Sequence, residues 1–163
     1  GAGGLGGFYG GCLARCGHDV HFLVREDPQM IRRQGWIVDS AWGNFVVSSP
    51  NVHQSVSSMS LCDFIVVATK STTNHLLADL LRPLVHPAVT AICLQNGLDV
   101  ESATQAAVGA GRVVGGCCFL CSNKRGPGHI EHLDYGRIEV AAYRGPDGNG
   151  PSVEGAVLSQ IIS

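Results

Sequence analysis

Three sets of residues in this chain carry chemistry that their types and spacing make specific. The first is Gly1-Ala2-Gly3-Gly4-Leu5-Gly6, a G-x-G-x-x-G run followed by Gly7. In that pattern the first glycine makes a tight turn out of a strand, the second lets the backbone approach a pyrophosphate, and the third lets a helix pack closely on a sheet. The run reads as a phosphate cradle for a dinucleotide, but with 22 glycines in 163 residues it needs support from its surroundings. The second is Arg25, which closes an apolar run about 20 residues past the cradle, where an acidic side chain takes a ribose 2′-hydroxyl and an arginine takes a 2′-phosphate. Arg25 therefore points to NADP; the alternative is that it is solvated and Glu26 meets the ribose. The third is Lys70 and Asn96, each at the end of an apolar run of strand length, where parallel sheets collect their ligands. For each of these two the bland alternative is a loop residue that satisfies local backbone.

The elements that must position these residues follow in the order the cradle requires. Phe8 to Cys16 has the small and apolar spacing of a helix packed on a sheet, with Gly17 as its C-terminal cap, and Val20 to Val24 is a strand. Residues 29–34 form a short polar helix stopped by Gly35. Trp36 to Ala41 and Phe45 to Ser48 flank Trp42-Gly43-Asn44 as a hairpin, with both tryptophans as packing residues. Asp63 to Thr69 is a continuously apolar buried strand. A helix follows, capped by Ser71, Thr72 or Thr73, with Leu76, Leu77, Leu80, Leu81 and Leu84 on one face and a break near Pro83. Thr90 to Leu94 is another buried strand and residues 98–110 another helix. Residues 113–121, 129–133 and 137–142 then read as successive antiparallel strands.

Strands alternating with helices predict an α/β chain with a Rossmann-type, doubly wound, mainly parallel sheet and antiparallel strands towards the carboxyl end. The strand that should feed Gly1 does not precede it, so the sheet is expected to lack its first strand and to show two edges where it would be continuous. Residues 1–143 are expected to be the dinucleotide-binding domain. Residues 144–163 are expected to be a glycine- and proline-rich linker and the start of a helix, Val153 to Ile162, leading to a further domain.

Composition narrows the class. A net charge of −2 gives no basic footprint for nucleic acid, and no apolar run is long enough to span a membrane. Seven cysteines scattered through apolar runs (Cys12, Cys62, Cys93 and Cys117 among them) read as buried free thiols in a reducing, cytoplasmic compartment. Cys118-Phe119-Leu120-Cys121 and His129-Ile130-Glu131-His132 superficially pair as a zinc site. On strands, however, residues three apart point to opposite faces, so no metal site is expected.

Gly1 to Gly10, Gly17-His18-Asp19-Val20, Leu23-Val24-Arg25, Ala68-Thr69-Lys70, Gln95-Asn96-Gly97, Gly126 to Ile130 with His132, and Tyr135 to Ile138 together resemble the amino-terminal domain of ketopantoate reductase (2-dehydropantoate 2-reductase). The resemblance implies NADPH-dependent reduction of a small-molecule 2-oxo acid, 2-dehydropantoate, to pantoate on the way to coenzyme A, in a two-domain cytoplasmic enzyme that can form a homodimer. It implies that Gly1, Ala2, Gly3, Gly4, Leu5 and Gly6 hold the pyrophosphate and that Arg25 holds the 2′-phosphate. Lys70 then lies near the cofactor, Asn96 stands between nicotinamide and substrate, and Cys121 makes a further cofactor contact. The proton donor is expected beyond Ser163. Two alternatives stay open: a non-catalytic NADP-binding module, and a reductase of another 2-oxo acid.

Overall fold

The computed structural model describes residues 1–145 and 148; the helix expected from Val153 to Ile162 lies outside the described residues. In chain order the elements are α1 (Gly4–Arg15), β1 (His21–Leu23), α2 (Pro28–Gln34), β2 (Trp36–Ser40), β3 (Phe45–Val47), β4 (Asn51–His53), β5 (Phe64–Val67), α3 (Leu77–Leu81), β6 (Thr90–Cys93), α4 (Val100–Val108), β7 (Arg112–Gly126) and β8 (His129–Ala142). They fall into two compact units. One comprises Gly1–Met59 and Phe119–Arg137, and the other Ser60–Cys118 and the chain from Ile138 onward.

In the first unit, α1 starts inside the glycine run and lies on the β2–β3 hairpin. Gly11 permits the approach, since a Cβ there would come within 3.1 Å of Val38 and 3.3 Å of Trp36. β1 and β4 pair in parallel, and β2 pairs antiparallel with β3 and in parallel with β8. The α2 helix is short because Asp27 caps its start, accepting from the Gln29 N–H, and Gly35 ends it. Phe8, Phe22, Val24, Ile31, Trp36, Val38, Val52 and Ile130 form the core. Each such side chain contributes about 1.5–3 kcal/mol on leaving water. Trp36 is buried as expected, stacks on Phe22 with ring centres 4.0 Å apart, and donates its indole N–H to the Gly7 carbonyl at 3.0 Å. Trp42 also packs, edge-on to Phe8 and His132, but is largely exposed.

In the second unit β5, β6 and β7 run parallel, pairing Phe64 with Thr90 and Thr90 with Arg112. β6 is buried at every position, the pattern of a central parallel strand. β1 pairs with β4 alone and β5 with β6 alone, so each stands at an edge of its sheet among the described residues. β7 and β8 contribute residues to both units, and their two-residue connection through Pro127-Gly128 makes them antiparallel.

Three expectations need correction. The leucine-rich stretch after Lys70 is not one helix. It is a 3-10 turn over Ser71–Leu76, then α3, then a second 3-10 turn over Arg82–Leu84. The Thr73 hydroxyl donates to the Lys70 carbonyl at 2.7 Å, a local bond that competes with helix propagation, and Pro83 stops regular winding. Leu77, Leu81 and Leu84 are buried and Leu76 is exposed. The carboxyl-terminal strands are two long ones, not three, so Lys124 and Arg125 stand on β7 and not in a loop. All seven cysteines are free, but Cys117 is exposed, on the outward side of the β7 alternation, and only Cys93 is fully buried.

Candidate functional site

The glycine turn gives α1 an open amino terminus. Gly3 is the N-cap, makes no side-chain capping bond, and the first helical turn contains no acid. The first intrahelical donor is Gly7, whose N–H bonds the Gly3 carbonyl at 2.7 Å, which leaves the preceding amides to an outside acceptor. The glycines differ in their surroundings. A Cβ on Gly3 would meet nothing within 4 Å, whereas one on Gly4 would sit 2.6 Å from the Ser122 backbone oxygen. Gly4 thus serves close packing against β7, where the Ser122 hydroxyl also donates to the Gly4 carbonyl at 3.1 Å. Gly3 serves open space. Free amides, a helix dipole and open space are the features that suit an anion.

Arg25 stands just past β1, exposed, and takes part in no ion pair among the described residues. Its neighbour Glu26 is committed: one carboxylate oxygen meets the Lys124 ammonium and the other accepts the Arg25 N–H at 3.2 Å. Burial pushes the Glu26 carboxyl up, but the hydrogen bond from Lys124, the backbone N–H groups and the lysine charge together hold it below the usual carboxylate value. Cys121 is exposed. Alternation along β7 turns its side chain away from the face that carries Ser122 onto Gly4, so its backbone is what it offers there.

The remaining two residues fall in the second unit. Lys70 is exposed and precedes the first 3-10 turn, and Asn96 is exposed just beyond β6. Between them in role, though not singled out by the sequence, is Gln95. It is 7% exposed, and its amide nitrogen reaches the Thr69 carbonyl at 3.0 Å, the Thr69 hydroxyl at 3.0 Å and Asn74 Oδ1 at 2.7 Å. This cross-link fixes the end of β5 against the end of β6 and so sets where Lys70 and Asn96 leave the sheet. The turn after Asn96 uses Gly97 at φ 142°, where a side chain would be strained and its Cβ would also meet Val100 at 2.9 Å. Asn96 lines a concavity of about 550 Å3 with Gln95, Glu101, Gly115, Glu139 and Tyr143, a size suited to a small molecule. Lys70 does not line it.

The H-x-x-H pair is divided as strand geometry requires. His129 turns to Asp39, 2.6 Å away, while His132 is buried against Phe8 with ring centres 4.1 Å apart. His132 Nε2 donates to the Tyr135 carbonyl at 2.8 Å, and its Nδ1 lies 2.8 Å from the Ser40 hydroxyl. Among the described residues no three His, Cys, Asp or Glu side chains gather as metal ligands, and no helix is long and apolar enough to cross a membrane.

A glycine turn opening a helix, with parallel strands ending in polar residues, defines an α/β chain of the Rossmann class. Comparison with known proteins narrows this: the ketopantoate reductase PanE/ApbA family matches residues 1–145, and the chain belongs to that family. It is 45% identical over 143 residues to a 2-dehydropantoate 2-reductase of Nostoc sp., an alignment covering 88% of this chain and 45% of the relative. Its fold matches the crystal structure of 2-dehydropantoate 2-reductase from Geobacter metallireducens with a TM-score of 0.88 at 36% identity, over 98% of this chain and 51% of that one. The corresponding structure from Methylococcus capsulatus matches with a TM-score of 0.79 at 29% identity, over 86% and 46%. The chain spans about half the length of these relatives.

Proposed function

We propose that this chain is the cofactor-binding part of an NADPH-dependent oxidoreductase that reduces 2-dehydropantoate to pantoate, towards pantothenate and coenzyme A. The observation that carries the reading is Arg25: an exposed guanidinium just past β1, with no ion pair among the described residues, following an uncapped glycine turn. Family membership supplies the reaction class.

In this reading the amides at Gly1 to Gly6 take the pyrophosphate and Arg25 grips the 2′-phosphate as a planar fork. Lys70 adds positive charge near the nucleotide, Cys121 contributes backbone, and Asn96 orients the 2-oxo acid by its amide. When bound, the reduced nicotinamide supplies a hydride to the carbonyl carbon. The forming alkoxide needs a proton donor within hydrogen-bond reach. None of the assigned residues fills that role, which falls to the part of the family's length that this chain does not span. Residues 1–143 then act as the nucleotide domain, and 144–163 lead out of it.

The test is NADPH oxidation by the full-length protein, offered 2-dehydropantoate beside pyruvate and a branched 2-oxo acid. Turnover highest with 2-dehydropantoate supports the proposal. Turnover favouring another acid reassigns the substrate, and NADPH binding without turnover on any of them identifies a non-catalytic module.

A further inference from the structure

We infer that Lys124 is a positioning residue for cofactor choice: by neutralising Glu26 it leaves Arg25 free to accept a 2′-phosphate and denies the Glu26 carboxylate to a ribose diol. The inference rests on the reading of Arg25 given above and extends it to a residue on another element.

Two neighbouring residues at the end of β1 make opposite demands. An arginine there favours a 2′-phosphate, whereas an acid there favours ribose hydroxyls and repels phosphate. Left alone, Glu26 would also be the nearest partner in sequence for the Arg25 guanidinium. Instead the carboxylate is held by the Lys124 ammonium and by the Arg25 backbone N–H, and Arg25 keeps no ion pair among the described residues. The lysine and glutamate side chains are only 26% and 30% exposed, so water screens the pair incompletely. Alternation along β7 makes the arrangement coherent. Ser122 and Lys124 share one face, the first bonded to the glycine turn and the second to Glu26, while Arg125 on the opposite face pairs with Glu131. One strand therefore sets both the phosphate turn and the charge balance beside Arg25.

The experiment titrates NADPH and NADH in parallel into the full-length protein and its variants Lys124→Gln, Lys124→Arg, Glu26→Gln and the double variant Glu26→Gln/Lys124→Gln, with circular dichroism to verify folding. Lys124→Gln is expected to weaken NADPH binding about tenfold, the scale of one partly screened charge, with a much smaller effect on NADH. Lys124→Arg should keep the wild-type preference, and the double variant should recover it, because the carboxylate that needed neutralising is gone. Glu26→Gln alone, which does not depend on the other variants folding, should bind NADPH at least as tightly as wild type. An equal loss for both cofactors in Lys124→Gln, or no recovery in the double variant, would overturn the inference. A wild type that prefers NADPH through Arg25 yet is indifferent to Lys124 also overturns it, and leaves the reading of Arg25 standing. A wild type with no NADPH preference overturns both.

Discussion

The two units treat polar groups in contrasting ways. In the unit that carries the glycine turn, ion pairs join separate elements, Glu26 with Lys124 and Glu131 with Arg125, while Arg25 has no ion pair among the described residues; the other unit's Arg82–Asp79 pair is local and exposed. In the other unit the residues that fix the strand ends are neutral amides and hydroxyls, with Gln95 bonded to Thr69 and Asn74. The difference suits the two tasks proposed above. Recognising a phosphate takes a cation with no competing anion and backbone donors facing open space. Aligning a neutral ring and a small acid takes rigid hydrogen bonding, which a satisfied buried network supplies.

The largest expected effect comes from breaking the first unit's packing. Gly4→Ala places a methyl 2.6 Å from a backbone carbonyl on β7 that cannot swing away. A loss of about 1–3 kcal/mol in stability is expected, read from the denaturant midpoint. Gly3→Ala sharpens the contrast: its φ of −81° suits alanine and its Cβ meets nothing, so only the weaker N-cap preference of alanine, about 1 kcal/mol or less, should be lost in stability while NADPH binding falls. Equal destabilisation by both changes would show that Gly3 is a packing residue and not part of an open cradle.

In the second unit, Gln95→Ala removes the buried donor shared by Thr69 and Asn74 and should cost about 1–3 kcal/mol. The ratio of NADPH to NADH affinity should not move. A changed ratio would mean that charge recognition is not confined to the glycine-turn unit.

The smallest effect is a pH dependence in the first unit. His21 Nδ1 and His53 Nε2 lie 2.9 Å apart across the β1–β4 pair, and burial, then the charges of His21 and Arg32, lower the His53 pKa. The unfolded chain therefore binds more protons than the folded one. The stabilising contribution is present above the ordinary histidine value of 6.5 and is lost as pH falls through the lower folded value. Glu26, also lowered, acts with the same sign below its ordinary value of 4.5. Melting temperature should drop on acidification below pH 6.5, and His53→Gln should flatten the first part of that slope.

Much of this was legible in the sequence because the informative residues are neighbours. The order of glycine turn, helix and strand, the Gly35 end of α2, the hairpin between Trp36 and Phe45, and the separation of His129 from His132 all follow from local spacing. The leucine stretch misled because its face is helical while Ser71 to Asn74 and Pro83 oppose a continuous helix. The Glu26–Lys124 pair was not legible: 98 residues separate its members, and only the alternation of a strand longer than expected brings them together. Gln95 was hidden for a related reason, since its importance lies in Thr69 and Asn74, on a different strand end.

Arg25 and the open glycine turn together are proposed to select a phosphorylated dinucleotide. The most direct measurement is the parallel titration of full-length wild type and Arg25→Asp with NADPH and NADH, following tryptophan fluorescence with circular dichroism as the control for folding. Saturable binding that favours NADPH in wild type, with the preference lost in a folded Arg25→Asp, is the predicted result. A folded wild type that binds both cofactors equally, or an Arg25→Asp variant that still prefers NADPH, would contradict it.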